Sequence, residues 1–163
     1  MKTATAVLYV CALGFAVGTS HASEFDQAMQ PVLTEYLKIQ AALAADRTDG
    51  MRDAAAAIEA SARGLNPQAT GGPHAEHYAG IPAELVGSCE ALQAAQGLDA
   101  TREAFKKLSR PVAVWVGMAK PPDTSVMYCP MAEAVWVQHG TDVANPYYGP
   151  RMLSCGQKVG GSD

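Results

Sequence analysis

The sequence predicts an all-α fold: an antiparallel bundle of about four helices, followed by a small irregular C-terminal lobe. Apolar residues recur at spacings of three and four along most of the chain up to residue 118, which is the pattern of amphipathic helices. Short segments rich in Gly, Pro and polar residues separate these patterns, as expected for helices that pack antiparallel. The double proline in "AKPPDTS" (residues 119–125) breaks any helix and marks the start of the lobe.

Residues 1–22 have the pattern of a secretory signal peptide. Lys2 precedes an apolar run, and residues 20–22 (SHA) resemble the small-residue cleavage site of such peptides. The segment is too short and wrongly flanked for a transmembrane helix, and no later segment is long and apolar enough for one. We therefore expect residues 23–163 to form one exported domain in a bacterial periplasm, without stable insertion in the membrane.

The charge of the chain excludes one class of partner. Its formal net charge is −4 at pH 7, and it contains no basic run. A mildly acidic protein of this kind has no strong electrostatic attraction for nucleic acid or for an anionic membrane surface. We therefore expect no nucleic-acid partner.

Four helical patterns follow one another through the predicted bundle, residues 24–118. The first contains Pro31, which either lies in the first turn of the regular helix or kinks it. The second is rich in alanine and has good helix propensity. The fourth contains Pro111, which is expected to kink or end the helix. The four patterns cover residues 24–45, 51–65, 82–96 and 97–118.

The predicted lobe, residues 122–156, contains two short clusters of sulfur-containing side chains. The first cluster is "MYCPM". In an extended segment alternate side chains fall on one face, so Met127, Cys129 and Met131 would point the same way. Pro130 cannot donate to a sheet ladder, so this strand either lies at an edge or ends there.

The second cluster is "MLSC", in which Met152 and Cys155 share a face if the segment forms a helical turn. The pairs "HG", "NP" and "GP" between the two clusters are strong turn signals, so the chain can fold back and bring the clusters together. Residues 157–163 are rich in glycine and are expected to form a flexible tail.

Sulfur ligands of this kind favour a soft metal ion. Thiolates and thioethers select Cu(I) over hard ions such as Ca²⁺ or Mg²⁺. A zinc site would more often use paired C-x-x-C or histidine motifs, which the chain lacks. His139, between the clusters, is a candidate nitrogen ligand. The sequence predicts a copper site, with silver as the alternative metal, whose ligands are Cys129, Met131, Met152 and Cys155, with Met127 as a fifth sulfur.

A disulfide between Cys129 and Cys155 is the main alternative to a metal site. It would close a loop of about 27 residues and stabilise the fold by about 3.5 kcal/mol in the chain-entropy model. The methionines would then be core residues that fill irregular gaps. On this interpretation the protein is a non-enzymatic interaction domain, stapled by a disulfide, that docks on an envelope partner.

Other candidate residues have simpler interpretations. Cys89 lies on the apolar side of the third helical pattern and is expected to be a buried structural thiol. His74 and His77 either bind Cu(II) from one helical turn or belong to a solvated loop. No enzyme is predicted, because the chain lacks G-x-S-x-G, a Gly-rich phosphate loop, H-E-x-x-H and C-x-x-C.

Three segments of the chain resemble a known family. "LTEYLKIQAALAAD", "TREAFKKLS" and above all "YCPMAEAVWVQ…ANPYYGPRMLSCG" are similar to exported bacterial domains of unknown function. Members of that family occur alone or fused to the adaptor (membrane-fusion) subunits of copper/silver efflux pumps. In this chain Cys129 and Met131 match the CPM element, Met152 and Cys155 match the M-x-x-C-G element, and residues 145–149 match the joining turn.

The resemblance implies a helical periplasmic domain that takes part in heavy-metal handling, chiefly of copper. The direct role of each sulfur as a ligand is inferred from its chemistry. Together these observations predict a periplasmic copper-binding protein of a metal efflux or resistance system. Its expected partners are the metal ion and an efflux-pump adaptor or another envelope protein.

Overall fold

The structure, a computed structural model, describes residues 23–70 and 75–162. The signal peptide predicted for residues 1–22 and the candidate ligand His74 lie outside these residues. In the described part, four longer helices and one single-turn helix precede a sheet. The helices are α1 (Glu24–Ala44), α2 (Met51–Arg63), α3 (Ala75–Tyr78), α4 (Ile81–Ala94) and α5 (Gly97–Ala119).

The four longer helices pack in chain order: α1 on α2, α2 on α4 and α4 on α5. The four helical patterns of the sequence are therefore present, and their apolar sides form a shared core. The largest fully buried side chains of these helices include Phe25, Tyr36, Ile58, Leu85, Phe105 and Trp115. Within the described residues, none of the helices has the length and hydropathy that a membrane span requires.

Helix α1 begins with a capping box. The Ser23 hydroxyl accepts the N–H of Asp26 at 3.1 Å, and the Asp26 carboxylate accepts the N–H of Ser23 at 3.2 Å. These two donors have no partner within the helix, so the box stabilises its first turn. Asp26 also accepts the indole N–H of Trp115 at 2.8 Å. This bond ties the start of α1 to the end of α5.

Neither internal proline ends its helix. Helix α1 runs from Glu24 through Pro31, and α5 runs through Pro111 to Ala119. A proline inside a helix removes one backbone hydrogen bond. Beyond Pro111, however, Val112, Trp115 and Val116 are fully buried, and burial of these side chains offsets that loss. The predicted end of the helix at Pro111 is therefore wrong, and "VAVWV" extends α5 with all of its side chains buried except that of Val114.

The prediction of an all-α fold is wrong, because the C-terminal lobe contains a three-stranded antiparallel sheet. Its strands are β1 (Thr124–Cys129), β2 (Ala134–His139) and β3 (Gln157–Gly161), in the order β2-β1-β3. The central strand β1 is buried at five of its six positions. A strand that is covered on both faces lacks the polar–apolar alternation by which strands are recognised in a sequence.

Strand β3 takes the place of the flexible tail predicted from residue 157. Gly161 allows β3 to approach β1 closely. Gly161 has φ 102°, and a Cβ atom there would collide with the carbonyl oxygen of Thr124. Glycine is the residue that tolerates both the backbone conformation and the contact. The same residue type that indicated flexibility in the sequence is thus required for strand pairing.

The sheet packs on α5, which contacts all three strands, and on α1, which contacts β2. The Tyr36 hydroxyl lies 2.8 Å from the Ser109 hydroxyl and accepts the N–H of Val137 at 3.0 Å. Val137 belongs to the edge strand β2, so Tyr36 satisfies an N–H at the free edge of the sheet. Burial raises the pKa of Tyr36, which keeps this hydroxyl protonated.

The segment between β2 and β3 is held against the bundle by Arg102 of α5, a buried side chain. Its Nε donates to the carbonyl oxygen of Pro146 at 2.9 Å, and its Nη2 donates to that of Leu43 at 3.2 Å. The guanidinium also pairs with the Asp46 carboxylate. A buried charge needs such partners, so Arg102 fixes the returning chain relative to α1 and α5.

Replacing Tyr36 with phenylalanine is expected to lower the free energy of unfolding by about 1–3 kcal/mol, because the buried N–H of Val137 then has no acceptor. Urea denaturation of Tyr36→Phe measures this loss. Tyr148→Phe is the matched control, because its hydroxyl donates to the carbonyl oxygen of Met131 at the surface. Equal losses in the two variants would contradict the role assigned to Tyr36.

Candidate metal centre

The two cysteines of the predicted site meet where β1 ends and β3 begins. Cys129 is the last residue of β1, and Cys155 lies two residues before β3. The antiparallel register pairs Tyr128 with Gln157, so the two cysteines are close across the ladder. Their Sγ atoms are 3.4 Å apart, and both residues are free thiols in the structure. The sequence-predicted convergence of the two cysteines is confirmed.

The fully buried side chain of Asn145 connects the segments around this pair. Its amide nitrogen donates to the carbonyl oxygen of Cys155 at 2.6 Å, and its amide oxygen accepts the N–H of Tyr147 at 2.8 Å. Its backbone N–H donates to the carbonyl oxygen of Leu153 at 2.8 Å. One side chain thus shapes the NPYYG turn and fixes the backbone at the second cysteine.

Hydrogen bonds around Cys129 favour its thiolate. Burial alone raises the pKa of this thiol, but the N–H of Ala132 and the thiol of Cys155 lower it. The side chain of Asn145 and the N–H of Met131 act in the same direction. The donors outweigh burial, so the pKa of Cys129 lies below that of an ordinary cysteine.

The pKa of Cys155 shifts in the opposite direction. Its hydrogen bond to Cys129 raises its pKa, and burial and the charge on Cys129 act in the same direction. Of the two thiols, Cys129 is therefore the more acidic and Cys155 the less acidic. Both would have to lose their protons to bind a metal ion as thiolates.

The spacing of the two sulfur atoms is compatible with a shared metal ion. With metal–sulfur bonds of about 2.3 Å, the length found in zinc thiolates, atoms 3.4 Å apart subtend about 95° at the metal. Opening the pair to about 3.8 Å gives the tetrahedral angle. Within residues 23–70 and 75–162, His, Cys, Asp and Glu form no metal-binding group of three or more. Other protein ligands at this place would therefore be of a different type, such as thioethers.

The three predicted methionine ligands lie in different surroundings. Met127 is fully buried, two residues before Cys129 on the same face of β1. Met131 is in the turn between β1 and β2, and its side chain is 64% exposed. Met152 is in the turn before Cys155, and it is 37% exposed. The ligand role of these thioethers stays a prediction.

The candidate nitrogen ligand His139 lies at the wrong end of the sheet. In the β1–β2 ladder Cys129 pairs with Ala134, whereas His139 pairs with Thr124. His139 lies five positions further along β2 than Ala134, a distance of about 16 Å. His139 instead lies 3.3 Å from the carboxylate of Asp123. It therefore cannot share an ion with the cysteine pair.

Cys89 has no part in this site. It is fully buried in α4, and burial raises the pKa of its thiol to about 12. An apolar environment of this kind makes a cysteine unreactive. The structure supports the interpretation of Cys89 as a structural thiol.

Two residues make contacts at the site that the sequence did not indicate. The first is Asn145, which the sequence placed only in the joining turn of residues 145–149. The second is Trp136, whose ring lies against Gly156, so that a Cβ atom on this glycine would be 2.5 Å from the indole. The glycine that follows Cys155 is thus required by the tryptophan. Both roles depend on contacts between segments that are ten or more residues apart.

Asn145→Ala is expected to lower the free energy of unfolding by about 1–3 kcal/mol, because it leaves buried backbone groups without partners. Asn66→Ala is a matched control: the exposed Asn66 side chain accepts the N–H of Gln68 in the same local pattern. That control should change stability by less than about 0.5 kcal/mol. Urea denaturation of both variants measures the difference, and an equally mild effect of Asn145→Ala would contradict its proposed role.

Comparison with known proteins assigns the chain to a family through its helical part. No curated protein and no solved structure matches the chain at a significant level. The family described as "Protein of unknown function (DUF3347)" matches residues 32–124. This range runs from α1 to the first residue of β1, so the cysteine pair lies outside it. Because the match covers more than half of the sequence, the chain belongs to the DUF3347 family.

Proposed function

We propose that this protein binds Cu(I) through the thiolates of Cys129 and Cys155. The observation that supports this most directly is the 3.4 Å contact between the two sulfur atoms. Cys129 in addition has hydrogen-bond donors that favour its charged form. Two soft ligands on neighbouring segments suit a soft monovalent ion. Silver, as Ag(I), has the same preference and is the alternative metal.

The thioethers of Met131 and Met152 complete the proposed site from the surface. Each lies two or three residues from one of the cysteines, and both are exposed although methionine is an apolar residue. A thioether needs no deprotonation, so it remains a ligand under conditions in which thiols are protonated or oxidised. Met127 is a further candidate from the core side. An ion would thus meet the methionines first and the buried Cys129 last.

The proposed physiological role is copper sequestration or delivery in the periplasm as part of a metal efflux or resistance system. This part of the proposal rests on the signal-peptide pattern and on the resemblance to domains that are fused to efflux-pump adaptors. The partner that would receive the ion is such an adaptor or another envelope protein. The proposal assigns no enzymatic activity to the chain.

The same 3.4 Å contact also favours a second candidate function. If Cys129 and Cys155 form a permanent disulfide, the protein is a non-enzymatic interaction domain whose C-terminal lobe is stapled. Serine at both positions would then lower the melting temperature under oxidising conditions, and copper would have no effect on the protein.

Cys129→Ser and Cys155→Ser are each expected to lower Cu(I) affinity by at least about 100-fold, more than the loss typical of an outer-shell residue. The measurement is an anaerobic titration of the reduced protein against a chromogenic Cu(I) chelator. Cys89→Ala is the control and should bind as tightly as the wild type. Retained affinity in the double Cys129→Ser, Cys155→Ser variant would remove the thiolates from the proposal.

Met131→Leu and Met152→Leu are expected to lower Cu(I) affinity by about tenfold each, because leucine preserves volume but has no sulfur. Met118→Leu is the control, since Met118 is partly buried near the end of α5 and belongs to neither sulfur cluster. The same competition titration measures all three variants. Unchanged affinity in Met131→Leu and Met152→Leu would limit the ligand set to the two cysteines.

A further inference from the structure

We propose that Cys129 and Cys155 form a redox gate. The gate is a reversible disulfide whose formation begins at Cys155 and removes both thiolates from the metal site. This inference rests on the proposed function for its metal part. It treats the disulfide and the metal site as successive states of one sulfur pair.

The geometry of the pair allows a disulfide to form without rearrangement of the sheet. A disulfide bond is about 2.05 Å long, so the sulfur atoms need to approach by about 1.4 Å from their 3.4 Å separation. Asn145 holds the carbonyl of Cys155 in place, and the N–H of Cys155 donates to the carbonyl oxygen of Met152. The backbone of the second cysteine is therefore positioned before any bond forms, which raises the effective concentration of its thiol.

Exposure determines which sulfur reacts first. Cys129 and Cys89 are both fully buried, whereas Cys155 is only partly buried. Residues 150–154, which precede it, are all exposed. Access is a requirement for attack on an external disulfide. Among the three described cysteines, Cys155 is thus the one that an external reagent can reach.

The exchange has two steps with a low-molecular-weight disulfide, RSSR, as the oxidant. The Cys155 thiol loses its proton to solvent, and its sulfur attacks RSSR, forming a mixed disulfide and releasing RS⁻. The Cys129 thiolate then attacks the Sγ of Cys155. The S–S bond between Cys155 and the RS group breaks, the Cys129–Cys155 disulfide forms, and a second RS⁻ leaves. The protein loses two electrons, and RSSR is reduced to two thiols.

The oxidised pair has a different metal chemistry from the reduced pair. A disulfide has no thiolate, so the site loses both charged ligands and keeps only thioethers. Affinity for a soft ion should therefore fall in the oxidised form and return on reduction. In this way the redox state of the surroundings would determine whether the protein holds or releases its ion.

The first test uses metal-free protein in buffers of reduced and oxidised glutathione, analysed by intact mass after acid quenching. The wild type should lose two hydrogens reversibly, with a transient glutathione adduct that peptide mapping assigns to Cys155. Cys129→Ser should accumulate one stable adduct on Cys155. Cys155→Ser should stay unmodified while folded, and Cys89→Ala should behave like the wild type.

Two results would overturn the gate. One is a wild type that stays in the dithiol form across all buffers. The other is an adduct that forms first on Cys129, seen either in the wild type or in folded Cys155→Ser. Because the wild-type adduct is mapped directly, the test does not depend on the stability of the variants.

The second test compares Cu(I) binding by the reduced, oxidised and re-reduced wild-type protein in the chelator competition. The gate predicts at least a tenfold lower affinity in the oxidised form and full recovery after reduction. Equal affinity in the two forms would overturn the gate. Failure of the reduced protein to bind Cu(I) would overturn the proposed function and with it the metal part of the gate. The mass measurements would still test the thiol exchange by themselves.

Discussion

The buried guanidinium of Arg102 holds together segments that are distant in the chain. It binds the carbonyl oxygens of Leu43 and Pro146 and pairs with Asp46. Gly149 lies against the same ion pair at φ 56°, where a Cβ atom would collide with it. Removing one partner of a buried charge is costly, so the returning segment has one favourable position. The helical bundle thereby determines where the chain between β2 and β3 lies.

The sulfur pair depends on this position through Asn145, the neighbour of Pro146. The side chain of Asn145 binds the backbone of Cys155 and favours the thiolate of Cys129. Tyr147 supports the same segment from the other side, because its ring packs on Phe105 of α5 and its hydroxyl donates to a carbonyl of β2. The pair of thiols is therefore positioned by the end of β1 and by a turn that the hydrogen bonds of Asn145 hold in place, which favours a defined ligand geometry.

The family match and the proposed site lie in different parts of the chain. Residues 32–124 match the DUF3347 family, and these residues form the framework. The proposed chemistry lies beyond them, in β1 and in the turns before β2 and β3. The lobe contains one buried and one partly exposed cysteine of the proposed site. The proposed metal binding and the proposed disulfide would use the same two sulfur atoms, so the two states would exclude each other.

The sequence by itself determined the helices, because their apolar spacing is local, and it indicated that turn signals would bring the two cysteines together. It did not predict the sheet, since β1 is covered on both faces and β3 is rich in glycine. Only the tertiary structure decided that His139 lies far from Cys129 and that Asn145 joins the segments of the site. Strand register and burial arise from contacts between distant residues, and such contacts leave no periodic signal in the chain.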